Sequence, residues 1–195
     1  MKNNNFYAML SRMKYIDRWG LMRNTRKENL CEHSLETAFI AHALGIINNE
    51  VYKGTIDAER LAVLGMYHDV TETITGDMPT PVKYYNPVIR QAYRTVENVA
   101  KDEILTGLPD ILKSTYDGVL SGSEDEKLLW QYVKAADKIS ALIKCVEERK
   151  TGNSDFCKAE ATIREAISNM EERLPEVKYF MDNFMPAYTD TLDEL

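Results

Sequence analysis

Along the chain, apolar residues return at the three-to-four-residue spacing of helices, and no segment alternates as a half-buried strand would. Phe6, Met9, Leu10, Met13 and Ile16 fall on one face, which predicts a first amphipathic helix ending near Gly20. A second helix is expected over about residues 31–47, with Leu35, Ala38, Phe39, His42 and Ile46 at helical spacing. A third begins after Gly54-Thr55 and carries Leu61, Leu64, Gly65 and His68 toward Thr73. The run Gly76-Asp77-Met78-Pro79-Thr80-Pro81 then interrupts, because a continuous helix does not readily accept its two prolines.

Downstream, Pro87 suits the first position of a fourth helix, which reaches about Leu105 and is stopped by Gly107 and Pro109. A short segment over about 110–120 leads to a loop, Ser121-Gly122-Ser123. Glu124-Asp125-Glu126 then opens the longest helix with acids where the helix dipole favours them, and that helix ends near Gly152. Another covers about 155–173, a short one follows Pro175, and the acidic stretch 190–195 is expected to fray. With 195 residues, no internal repeat and no low-complexity segment, the pattern predicts a single all-α domain over 1–195.

Composition narrows the setting. Hydrophobic and charged fractions of 44% and 28% are ordinary for a globular chain. No run approaches the length of a membrane span, and Met1-Lys2-Asn3-Asn4-Asn5 lacks the apolar stretch of a signal peptide, so no membrane partner is expected. Cys31, Cys145 and Cys157 form no CxxC pair and make an odd count, which predicts reduced thiols in the cytoplasm. The net charge of −7 disfavours a nucleic-acid partner. A local basic group, Arg12, Lys14, Arg18, Arg23, Arg26 and Lys27 against Asp17, reads equally well as a solvated face.

The chemistry gathers around His68-Asp69, at the end of the apolar stretch Leu61-Ala62-Val63-Leu64-Gly65-Met66-Tyr67. Two such polar side chains are costly there unless something satisfies them, although a core histidine bonded to a neighbour would suffice. Three features add weight. Glu72 follows four residues after His68, on the same face of a continuous helix. His33 stands near the start of another apolar helix, and Asp137 interrupts the apolar face of the longest one. A buried aspartate needs a partner or a cation. Two imidazoles with two carboxylates suit a divalent transition ion better than calcium, which prefers oxygen alone. Cobalt or manganese fits best, with magnesium, iron, copper and zinc admitted.

The order His…His-Asp…Asp resembles the HD-domain phosphohydrolase superfamily. Arg18-Trp19, Cys31-Glu32-His33-Ser34, His68-Asp69-Val70-Thr71-Glu72, Gly76-Asp77-Met78-Pro79-Thr80-Pro81-Val82-Lys83 and Ala136-Asp137-Lys138 resemble its 5′-deoxynucleotidase branch. The likeness runs to about Thr151, beyond which no motif appears. It implies a helical fold around one metal site, hydrolysis of deoxyribonucleoside 5′-monophosphates, and a homodimer. By the same resemblance His33, His68, Asp69 and Asp137 are the metal ligands, and Asp69 also orients the attacking water. Glu72 serves as general acid or base, and Arg18 holds the phosphate. Trp19 is a wall against a 2′-hydroxyl, and Asp77, Met78, Pro79 and Thr80 enclose sugar and phosphate. Thr80 with Pro81 also reads as a plain helix start, Lys83 as a surface cation and His42 as a core histidine.

Two other readings stay open. One is an HD-type hydrolase of an alarmone pyrophosphate or an oligophosphate, disfavoured by Arg18-Trp19 and the Asp77–Thr80 turn. The other is a non-catalytic nucleotide- or metal-binding helical module, disfavoured by Glu72 standing beside four ligands.

Overall fold

A computed structural model describes residues 4–83, 85–122 and 124–194, with Glu124 described in its backbone alone. Ser123 of the expected loop, Leu195 of the expected frayed end, and residues 1–3 lie outside it. Among the described residues there is no strand, and an isolated bridge joins Asp17 to Asn29. The helices are α1 (Phe6–Leu10), α2 (Leu30–Glu50), α3 (Ala58–Tyr67), α4 (Glu72–Thr75) and α5 (Thr80–Lys83). They continue with α6 (Pro87–Thr106), α7 (Asp110–Ser121), α8 (Lys127–Lys150), α9 (Cys157–Glu171) and α10 (Pro175–Asn183).

The central helix is α2. Asn29 caps it by accepting from the amides of Cys31 at 3.0 Å and Glu32 at 3.1 Å, and Glu32 reaches back to the Asn29 amide. It packs on α3, α8 and α10, and its buried positions include the small residues Ser34, Thr37, Ala38, Ala41 and Gly45. Small residues let the neighbouring backbones come close. A Cβ on Gly65 of α3 would sit 2.9 Å from the Ala38 Cα, and one on Gly45 would meet the Ala58 Cβ at the same distance. That close approach sets the C-terminal end of α3 against the N-terminal end of α2.

The expected apolar face of α2 needs correcting. Leu35, Phe39 and Ile46 are 51%, 66% and 41% exposed, whereas Leu30, Ile40, Leu44 and Ile47 face the core. Two apolar clusters result. One joins α2, α3, α8 and α10 through Leu44, Leu64, Ile139, Leu142 and Val177. A smaller one gathers Phe6, Met13, Leu30, Val70, Ile104 and Leu108.

Two further expectations give way. The first helix becomes a 3-10 turn at Ser11–Tyr15 and stops before Ile16, well short of Gly20. The third does not run to Thr73. It closes at Tyr67, and the chain passes through three-residue turns, with Val70 N–H on the Tyr67 carbonyl and Glu72 N–H on the Asp69 carbonyl. The acids 124–126 form a 3-10 turn ahead of α8 rather than its first turn.

Candidate active site

His33 lies in the first turn of α2, fully buried, and its Nδ1 is 2.9 Å from the Ser140 Oγ on α8. His68 caps the end of α3, and its Nδ1 donates to the Gly65 carbonyl at 2.8 Å. Each ring turns its Nε2 toward Asp69, with the two centroids 5.1 Å apart. Asp69 Oδ2 lies 3.1 Å from His68 Nε2 and 3.6 Å from His33 Nε2. Both Nε2 atoms are buried and lack a hydrogen-bond partner of proper geometry. Paired orphans of this kind ask for a further group, and a set of two imidazoles and a carboxylate suits a transition-metal ion.

Donor atoms of His33, His68 and Asp69 lie within 4.8 Å of one another. Asp137 stands at the edge of this trio. Its Oδ1 is 3.3 Å from His33 Nε2, while Oδ2 bonds Lys138 at 3.0 Å and Arg18 Nη2 approaches to 3.9 Å. Burial, aided by the Arg18 charge, holds the His33 pKa below its ordinary value and keeps the ring neutral. For His68 burial acts the same way, but the adjacent Asp69 outweighs it and the net shift is upward.

Glu72 opens α4 and is 6% exposed, with Oε2 unpartnered. Burial, reinforced by the charges of Asp69 and Asp77, pushes its carboxyl up to about 9. Lys83, read from sequence as a surface cation, sits 4.0 Å from Glu72 Oε1, bonds Glu97 at 2.7 Å and lies over the Tyr93 ring. It is partly buried and shaped into this corner. Glu72 stays beside Asp69, its amide bonded to the Asp69 carbonyl at 2.9 Å, carried there by turns rather than by one helix.

Arg18 and Trp19 arrive on the loop before α2. Within the basic group, Arg18 turns inward, its side chain only 11% exposed. Glu28, which sequence reasoning did not single out, organises both residues: its Oε2 accepts from Arg18 Nη1 at 2.8 Å and Trp19 Nε1 at 3.1 Å. The Trp19 backbone is left-handed, with φ of 60°, a costly conformation for a bulky side chain. It is held by Asp77, whose Oδ2 accepts the Trp19 N–H at 3.1 Å. The ring packs on Phe156, 5.3 Å between centroids.

Glycine is needed at Gly76, where φ of 73° with ψ of 164° ends α4 and starts the turn through Asp77. Met78 and Pro79 are half-buried there, and Thr80 is the exposed first residue of α5, in line with its reading as a helix start. His42 is half-buried on α2, away from a full core position. A second unanticipated carboxylate, Glu148 of α8, is 2% exposed and ties down the loop after Trp19. It accepts from the amides of Thr25 at 2.9 Å and Arg26 at 3.2 Å, from Asn153 at 2.7 Å, and from Lys144. No local motif marks either: Glu28 meets Arg18 and Trp19 from 10 and 9 positions away across a loop, and Glu148 meets Thr25 from 123.

Known proteins share both sequence and shape with this chain. Proteins named 5′-deoxynucleotidase from Yersinia pestis (strain Pestoides F) and Yersinia pseudotuberculosis (serotype O:3) are 46% identical over 195 residues, covering 98% of this chain and 96% of each relative. An HD-domain phosphohydrolase from Listeria innocua superposes with a TM-score of 0.83 at 24% identity, covering 94% of this chain and 88% of its own. The cyanophage S-2L HD phosphohydrolase, solved bound to dA and one catalytic Zn2+ ion, gives a TM-score of 0.66 at 19% identity, covering 94% and 96%. These last two establish the shared HD-type fold. The family described as 5′-deoxynucleotidase YfbR-like matches residues 5–188, and the chain belongs to that family.

Proposed function

We propose that His33, His68, Asp69 and Asp137 hold one divalent cation, and that this cation is the centre at which the family's reaction takes place in this chain. The enzyme is a 5′-deoxynucleotidase, releasing phosphate from deoxyribonucleoside 5′-monophosphates. The observation that carries the assignment is the pair of buried, unpartnered Nε2 atoms converging on Asp69. The Zn2+ ion of the cyanophage relative supports a transition metal, and cobalt or manganese suits the mixed nitrogen and oxygen set here. When bound, such a cation supplies Lewis acidity toward phosphate and lowers the pKa of water.

The protein side of the reaction follows. Arg18, anchored by Glu28, presents its guanidinium to the phosphoryl oxygens beside Asp137. Asp69 orients the attacking water. As the water oxygen bonds to phosphorus and the P–O5′ bond breaks, Glu72 gives its proton to the departing 5′ oxygen; the proton shed by the water passes to solvent, from which Glu72 is reprotonated. A carboxyl raised to about 9 carries that proton at neutral pH, which favours the acid role over the base role. Trp19 stands as the wall against a 2′-hydroxyl. Asp77 spends one oxygen on the Trp19 amide and keeps the other for a sugar hydroxyl, with Met78, Pro79 and Thr80 closing the turn around sugar and phosphate.

We further infer a homodimer in the cytoplasm. The exposed stripe Leu35, Phe39 and Ile46 on α2 supports the first, and three unpaired cysteines support the second. Sedimentation at the mass of one chain would remove the dimer.

The deciding experiment is phosphate release from paired deoxy- and ribonucleoside 5′-monophosphates, after chelation and again with cobalt, manganese or magnesium. Metal-restored release favouring the deoxy substrates is expected. Activity insensitive to chelation, or unchanged in Asp69→Ala, would remove the metal assignment.

A further inference from the structure

We infer that Glu36 and Ser140 form a hydrogen-bond relay that sets the tautomer of His33, so that Nε2 is offered as a lone pair. This rests on the reading of His33 as a metal ligand.

The two histidines are oriented by different means. His68 Nδ1 meets the Gly65 carbonyl, which can only accept, so its proton must lie on Nδ1. His33 Nδ1 meets a hydroxyl, which can donate or accept, so that contact alone dictates nothing. What resolves the choice is the next link. Ser140 Oγ lies 2.6 Å from Glu36 Oε2, a length typical of a hydroxyl donating to a carboxylate. Burial pushes the Glu36 carboxyl up to about 7, so above that pH it has no proton to give and Ser140 commits its single proton to it. Its oxygen then has only lone pairs for His33, and Nδ1 must be the donor. The opposite tautomer would put a proton on Nε2, in the face shared with Asp69 and Asp137, where it would block ligation.

The relay is built into the packing. Glu36 lies one helical turn after His33 on α2, and Ser140 lies one turn after Asp137 on α8. Ser140 and His33 are both wholly buried, so water does not compete for the link. Glu36 is partly buried and borders a surface groove with Leu35, Phe39 and Lys144. Both act through the His33 Nδ1 contact rather than on substrate, so both are positioning residues.

The test uses nitrogen NMR of 15N-histidine-labelled, metal-free protein together with titration of Mn2+ or Co2+. Only three histidines contribute signals, and His42→Gln assigns one of the other two. Wild type is expected to show His33 protonated at Nδ1. Ser140→Ala and Glu36→Ala should each yield a mixture of tautomers and weaken cation affinity by about 10–100-fold, the usual effect of losing a ligand's outer partner. Ser140→Thr, which keeps the hydroxyl, should restore both readouts. A wild-type His33 protonated at Nε2 would overturn the relay even if the variants failed to fold. So would affinity and tautomer unchanged in both alanine variants while His33→Ala loses the cation. If His33→Ala keeps wild-type affinity, the ligand assignment itself falls.

Discussion

Glu72 and Glu148 are the same residue type at similar depth, 6% and 2% exposed, yet they hold opposite charge states. Around Glu72 burial and the charges of Asp69 and Asp77 outweigh those of Arg18 and of Lys83, which lies at 4.0 Å and is already bonded to Glu97. Its carboxyl stays protonated and one oxygen goes unpartnered. Around Glu148, Lys144, two backbone amides and Asn153 converge, outweighing the burial penalty and holding its pKa below the ordinary value. Depth sets how much a charge matters, and partners decide whether it exists. One region is left under-satisfied, as the proposed proton donor requires. The other is fully satisfied to fix a loop.

The sharpest way to break this contrast is Glu72→Gln. Turnover should fall by about 10²- to 10⁴-fold while cation affinity, read by titration, is retained. Near-normal turnover would remove Glu72 as proton donor. Next comes Glu148→Ala, which leaves the buried Lys144 without its counter-charge and should cost about 3–5 kcal/mol in a denaturant melt. KM should rise as the Arg18-Trp19 loop loosens, with cation affinity untouched; a loss of cation binding would show that the two regions are one. Smaller is Trp19→Ala, which should erode a deoxy-over-ribo preference of up to about 10²-fold, measured as the ratio of kcat/KM values. An unchanged ratio would refute the wall.

A further prediction concerns pH. For a raised carboxyl such as Glu72, the favourable contribution is complete below its ordinary value of 4.5 and is lost as pH climbs toward about 9. For the depressed Glu148 it is present above the ordinary value and lost as pH falls through the lower, folded one. In metal-free protein, the stability gap between wild type and Glu72→Gln should therefore shift against wild type with rising pH. The gap to Glu148→Gln should shift against wild type with falling pH. Parallel shifts would contradict the contrast.

Much of the His33–His68–Asp69 cluster was legible because the doublet His68-Asp69 is local in sequence and closes an apolar stretch. The supporting half was not. Glu28, Glu36 and Ser140 act through contacts that only folding creates, Ser140 reaching His33 across 107 positions. The core face of α2 was misjudged because its close neighbours select alanine, serine and glycine, leaving Leu35 and Phe39 to solvent. Large apolar residues mark burial only where there is room for them. The early end of α3 escaped notice because Val70 and Thr71 carry no breaker, and the turn is set by packing Val70 into the smaller cluster.

On the proposed role of Trp19 as the wall, its left-handed backbone bears on how sugar selectivity can drift over evolutionary time. Replacing the indole with most smaller side chains would open space for ribose yet retain a strained conformation, now without the ring contacts that help hold it. Glycine alone would relax the backbone and clear the wall in one step, reversing the usual expectation that alanine is the milder change. Broadened substrate range is thus reached through a narrow mutational door, and the neighbouring Asp77 holds it nearly shut.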